Sequence, residues 1–311
     1  MSSPVRVRAF APGSVGNIGP GLDILGMAVT GAGDRVDAET STEPGIQLRD
    51  SGHPELPADP DRHSCGIAAR AVLARAGREG QGVILQITKG LPLAAGQGGS
   101  AASAVAAAVA VNQLLGRPLD TDGLLLASLE AETAVAGRHA DNVAPSLLGG
   151  IILIRSLDPL DLVSLPVPPG LALVLAHPAQ VLETRTGRSV LPDQIDREVA
   201  LHQAAQVAAM AAALALGDLE LLGRAIDDRI AEPARAPLLP GFRQAKRAAL
   251  NAGALGCSIS GSGPTAFALA RPAAAEAVAT AMREAYAREG IGCVVRVAAV
   301  DTRGARIEPL A

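Results

Sequence analysis

The segment Pro92, Leu93, Ala94, Ala95, Gly96, Gln97, Gly98, Gly99, Ser100, Ala101 and Ala102 carries the densest chemistry in the chain. It joins a β-branched stretch, Val83 to Thr88, to a long alanine-rich one, Ala101 to Leu115. Glycines let the backbone curl until several N–H groups converge on one point. A helix starting just after them adds about half a positive charge at its N-terminus. Such a loop can cradle a phosphate, with the Ser100 hydroxyl available to a phosphate oxygen or to Mg²⁺. Three readings compete. The first is a glycine-rich turn with Ser100 as helix cap. The second is a dinucleotide fingerprint, because Gly96-x-Gly98-x-x-Ala101 fits G-x-G-x-x-A. The third is a triphosphate loop of an unusual kind. The dinucleotide reading fails on context, since it needs a strand after the helix, ending in an acidic residue about 20 positions on. Here a second helix follows, over 123–136, and residues 89–95 separate the strand from the glycines. The chain holds no G-x-x-x-x-G-K-[ST] and no H-R-D or D-F-G set. On this segment alone, the turn and the triphosphate loop stay open.

Other polar residues sit in similar settings. Asn17 and Asp23 lie in the Gly/Pro-rich run Ala11 to Gly26, where such residues often stabilise their own turn. Gly261, Ser262 and Gly263 form a second glycine-rich turn ahead of a strand. Glu130 and Glu132 share a helix, where a solvated face is the plain alternative. His139, Asp141 and Asn142 crowd one short run between Gly137 and Gly150. Arg188 and Arg235 are either surface charges or guanidinium forks for a carboxylate.

The elements that must hold these residues are interleaved. Strands are expected at 5–10, 83–88, 151–155, 171–176, 266–270 and 293–300. Helices are expected at 65–76, 101–115, 123–136, 197–216, 219–231, 240–252 and 273–289. Residues 40–63 read as a hairpin region with surface loops. Pro166-Val-Pro-Pro-Gly170 breaks any regular element, and 311 residues suit two domains. We expect an α+β chain divided into 1–166 and 167–311.

Composition narrows the function. With no Trp, one Tyr and three Phe, the cores must be aliphatic and no base-stacking platform exists. A net charge of −4 argues against nucleic acid, whose phosphates need a basic face. Cys65, Cys257 and Cys293 show no metal spacing and read as thiols in a reducing compartment. No uninterrupted apolar run of membrane-spanning length is expected, and the first residues lack a signal peptide's apolar stretch. The expected location is the cytoplasm, without nucleic-acid or membrane partners.

Against this background the motifs resemble those of the GHMP kinase superfamily. Pro92 to Ala102 is similar to its second motif, Pro-x-x-x-Gly-Leu-Gly-Ser-Ser-Ala, with Gln97 in place of Leu and Gly99 in place of the first Ser. Asn17-Ile-Gly-Pro-Gly-Leu-Asp23-Ile-Leu-Gly26 resembles the first motif in the form homoserine kinases carry, and Gly261-Ser-Gly-Pro264 resembles the third. His139-Ala-Asp-Asn142-Val-Ala-Pro145 followed by Gly149-Gly150 resembles the homoserine-kinase signature. So do Thr184-Arg-Thr-Gly-Arg188-Ser-Val-Leu-Pro192 and Glu232-Pro-Ala-Arg235-Ala-Pro-Leu-Leu-Pro-Gly241.

The resemblance implies a two-domain GHMP fold. Its first half would be ribosomal-protein-S5-domain-2-like and its second ferredoxin-like. It implies ATP-dependent phosphorylation of the L-homoserine hydroxyl, a step towards threonine. ATP would lie on Pro92–Ala102 and on Gly261, Ser262 and Gly263. Ser100 and Glu132 would hold Mg²⁺, with Glu130 the fallback. Arg188 and Arg235 would take the substrate carboxylate; Asn17, Asp23, His139 and Asn142 would take its ammonium and hydroxyl ends. Asp23 and Thr184 are the candidates for proton transfer, with Glu132 the third catalytic residue. A homodimer is a family expectation. The rival readings are a mevalonate- or sugar-type kinase of the same superfamily and a non-catalytic nucleotide sensor on this fold.

Overall fold

The computed structural model describes residues 6–310. Val5, the first residue of the expected opening strand, lies outside the described residues, as do the other first residues.

The first sheet is built on two long strands, β1 (Arg6–Gly16) and β2 (Leu25–Ser41). Half of Ala11–Gly26, expected as a loop, is therefore strand, and residues 17–24 turn. β2 also pairs with β4 (Gly82–Thr88), which pairs in parallel with β3 (Gly45–Asp50). The hairpin expected over 40–63 does not form. β3 skips its sequence neighbour and lies outside β4, and α1 (Ser64–Arg75) makes the crossover between them. A parallel pair needs such a connection.

α2 (Gly99–Leu114) and α3 (Thr121–Val135) pack with α1. Ala101, Ala102, Ala104, Ala106, Ala107 and Ala108 are fully buried on α2. Alanine on every side lets two helices and a sheet approach one helix closely. Asp120 caps α3 by accepting from Gly123 N at 2.9 Å. The short α4 (Val143–Leu148), unforeseen in the sequence, leads to the hairpin β5 (Ile151–Leu157) and β6 (Leu160–Leu165).

The second sheet has the order β10-β7-β9-β8, all antiparallel: β7 (Ala172–Pro178), β8 (Gly256–Ile259), β9 (Ala266–Ala270) and β10 (Cys293–Ala298). Alternation along β7 assigns its two faces. Val174 and Ala176 meet α9 (Phe242–Asn251) and α10 (Pro272–Arg288). Leu173 and Leu175 meet α6 (Arg197–Leu216) and α7 (Leu219–Arg224), in a core shared with Val15, Leu25 and Met27 of the first sheet. The helix expected over 219–231 stops at Arg224, because the chain turns to place Asp228 as a cap. α5 (Thr184–Ser189) and α8 (Ala231–Arg235) are short helices that carry arginines. The last strand, β11 (Arg306–Glu308), crosses back to pair with β1. Among the described residues, α6 alone is long and apolar enough to cross a membrane by length and composition.

Candidate active site

Residues from both halves line a cavity of about 650 Å³. Its floor is the loop before α2. Gly98, at φ +67°, caps the helix with no side chain bonded to the first N–H groups, so these donors stay open. A Cβ there would fall 2.2 Å from Ser14 Oγ. The loop is fastened from outside: Ser14 N donates to Gln97 O at 3.1 Å, Ser260 Oγ to Gly96 O at 2.6 Å, and Thr265 N to Ala95 O at 3.2 Å. The two glycine-rich segments, far apart in sequence, thus meet as one surface.

Not every expected loop residue faces the cavity. Pro92 to Gly96 and Gly98 to Ser100 line it, as do Gly261 and Ser262. Gln97 does not: its amide donates to Thr265 Oγ1 at 3.3 Å and accepts from Arg296 at 3.2 Å, bracing the second sheet. Ala101 and Ala102 are buried in the helix packing, and Gly263 packs against Leu239. At Gly99 the nearest neighbour of an added Cβ is Lys89 Nζ at 3.6 Å, so a serine would fit.

Lys89 escaped the sequence reading. Its ammonium is held by the buried Asp34 carboxylate, Ser103 Oγ at 2.9 Å and Gly99 O at 3.1 Å. The chain has two lysines among its 27 basic residues, and one stands three positions before Pro92. That was the available signal.

Glu132 is 2% exposed and its Oε2 has no hydrogen-bond partner. Burial pushes its carboxyl above the usual range; His139 and the Ser100 hydroxyl oppose the shift without cancelling it. An orphaned buried carboxylate oxygen beside a hydroxyl is a donor set that suits a hard cation. Glu130 points away and pairs with Arg75 at 2.9 Å in solvent, which removes the fallback.

His139 Nδ1 lies 2.9 Å from Asp141 Oδ1, while its Nε2 is buried without a partner. Burial works against the imidazolium, but Asp141 and Glu132 outweigh it and raise the affinity for the proton. Asp141 also accepts from Asn17 N at 3.1 Å, a position the sequence reading left out of the site. The Asn142 amide oxygen accepts from Ser14 at 2.9 Å. Asn17 is occupied too: its Nδ2 donates to Gly261 O at 3.0 Å and its Oδ1 accepts from Asp23 N at 3.1 Å. Both asparagines therefore shape the loops as well as facing the cavity.

Asp23 and Arg188, expected to hold opposite ends of a substrate, hold each other at 2.9 and 2.6 Å in a bidentate pair. Arg235 differs. It is 1% exposed, and its Nε and Nη1 donate to the carbonyls of Gly187 and Gly261, each at 2.9 Å. Among the described residues no carboxylate bonds it. Burial holds its guanidinium below the usual range, with Asp23 partly compensating. Thr184 opens α5 and lines the same cavity.

Two family models match this chain: the GHMP kinases N terminal domain over residues 64–150 and GHMP kinases C terminal over residues 210–288. A homoserine kinase of Chlorobium phaeobacteroides is 43% identical over 295 residues, covering 90% of this chain and 92% of that one. One of Arabidopsis thaliana is 43% identical over 315 residues, covering 97% and 85%. The crystal structure of homoserine kinase from Cytophaga hutchinsonii superposes with a TM-score of 0.94 at 41% identity, covering 99% of both chains. Galactokinase of Lactococcus lactis, at 17% identity and a TM-score of 0.73, shares the fold. The chain belongs to the GHMP kinases and, among them, to the homoserine kinase family.

Proposed function

We propose that the protein transfers the γ-phosphoryl group of ATP to the side-chain hydroxyl of L-homoserine, giving ADP and O-phospho-L-homoserine on the way to threonine. The observation that carries the reading is Arg235: a buried guanidinium with two carbonyl partners, no carboxylate, and an edge lining the cavity. A buried cation without a counter-anion is costly, and a substrate carboxylate would relieve that cost.

In this reading the open N–H groups at the start of α2 take the phosphate oxygens. Ser100 and Glu132 fit Mg²⁺, which when bound neutralises charge between the β- and γ-phosphates. Asp23 and Arg188 offer opposite charges to the ammonium and carboxylate of a zwitterion. His139 Nε2 is free to bond the hydroxyl end, with Asn17 and Asn142 fixing the walls around it. Phosphoryl transfer through a loose transition state leaves most of the work to positioning and electrostatics. No dedicated base is required, and Asp23 and Thr184 are the groups to substitute in testing for one. The same proposal divides the chain at 166/167, with β11 returned to the first sheet, and places a homodimer in the cytoplasm.

The test is ADP release with a panel of alcohols. Turnover with L-homoserine, and none with mevalonate or galactose, is expected. Equal turnover across the panel, or none with any, would overturn the reading. Light scattering reads the dimer.

A further inference from the structure

Gln203 lies on the inner face of α6, outside the cavity, and is 8% exposed. Both of its N–H donors and its carbonyl oxygen are engaged. Nε2 donates to Pro20 O and to Asp228 Oδ1, both at 2.9 Å, and Oε1 accepts from Arg229 N at 3.2 Å. Pro20 and Asp228 each lead to charged residues of the cavity.

Pro20 sits in the middle of the turn between β1 and β2. That turn carries three non-glycine residues at positive φ: Asn17 at 68°, Ile18 at 47° and Asp23 at 62°. Such conformations cost energy and persist only where their surroundings hold them. The turn places the Asp23 carboxylate against Arg188. Asp228 leads instead to Arg235. Its carboxylate accepts from Ile230 N at 2.8 Å, Ala231 N at 3.0 Å and Glu232 N at 2.8 Å. It therefore caps α8, the helix on which Arg235 is mounted.

We infer that Gln203 is a positioning residue: a strut that holds the Asp23–Arg188 pair and the Arg235 guanidinium in register for the ammonium and carboxylate of the amino-acid substrate. It touches no reacting group. Its action passes through Pro20 to the turn that carries Asp23 and through Asp228 to the helix that carries Arg235. The phosphate loop and Glu132 receive none of its bonds. The inference rests on the homoserine reading above.

The experiment is steady-state kinetics of the full-length Gln203→Met variant, which keeps the bulk of the side chain and removes its donors and acceptor. The KM for L-homoserine is expected to rise about tenfold, while the KM for ATP stays within about twofold of wild type. A merely structural role would lower the melting temperature and the active fraction and leave both KM values alone. Asp228→Asn, which weakens the α8 cap without touching Pro20, is expected to move the same KM by a smaller factor, and it decides the matter if Gln203→Met does not fold. An unchanged homoserine KM in the folded variants, or an equal rise in both KM values, overturns the strut. Absence of homoserine-dependent turnover by the wild type would instead sink the substrate reading, and the strut with it. The wild-type assay tells the two failures apart.

Discussion

Arg235→Ala isolates the group on which the substrate reading depends. In the wild type, Nε and Nη1 are committed to the carbonyls of Gly187 and Gly261, leaving one edge and the charge for a ligand. A hydrogen bond to a charged group contributes about 1.5–3 kcal/mol. Losing one should raise the KM for homoserine roughly tenfold to a hundredfold, with the ATP KM little changed. Folding should survive. Gly187 O loses its donor, at about 1–3 kcal/mol if it stays buried, while Gly261 O keeps Asn17 Nδ2, and a buried cation without a carboxylate is removed at the same time. The assay is coupled ADP release with each substrate varied in turn, after a thermal melt confirms the fold. Arg235→Lys should fall between, since one ammonium cannot satisfy both carbonyls and a carboxylate fork. A homoserine KM within about twofold of wild type in folded Arg235→Ala would show that Arg235 does not hold the carboxylate.

Outcomes are expected for four further variants. Glu132→Gln should reduce kcat at least about a hundredfold if Glu132 is the metal's carboxylate, measured across a Mg²⁺ titration. In the metal-free protein the same change should act on stability: the folded Glu132 carboxyl is raised by burial, so its stabilising contribution is complete at acid pH and is lost as pH rises through the folded value. Glu132→Gln should therefore melt higher than wild type at alkaline pH, with the gap closing on acidification; a pH-independent gap would contradict this. Gly98→Ala should raise the ATP KM and lower the melting temperature, because its Cβ meets Ser14 Oγ and the left-handed backbone adds about 1–2 kcal/mol. Gly99→Ser, with room for its Cβ, should keep ATP KM within about twofold. Ala107→Leu, in the fully buried α2, should destabilise by about 1–3 kcal/mol through overpacking, read by chemical denaturation.

Much of the site was legible because its chemistry is encoded locally. Gly96 and Gly98 announce a loop that L-residues adopt poorly, and the helix after it follows from an alanine run. The family resemblance, aligned on Gly137, favours Glu132 over Glu130, and the structure shows how the two differ: one is buried with an orphaned oxygen, the other solvated against Arg75. Where the reading went astray, side-chain direction was the cause. Gln97 lies within the loop yet turns its amide to the second sheet. Lys89 was passed over because nothing local links it to Asp34, 55 residues earlier.

The sequence by itself determined the class of chemistry, the family and the candidate residues, because turns, helix starts and motif spacing depend on neighbours along the chain. Only the tertiary structure decided how those residues relate. It pairs Asp23 with Arg188 across 165 positions, buries Arg235 between two carbonyls, carries β3 past β2 to the far side of β4, and returns β11 to the first sheet. These relations arise when sheets and helices bury their apolar faces against one another, and no local stretch of sequence contains them.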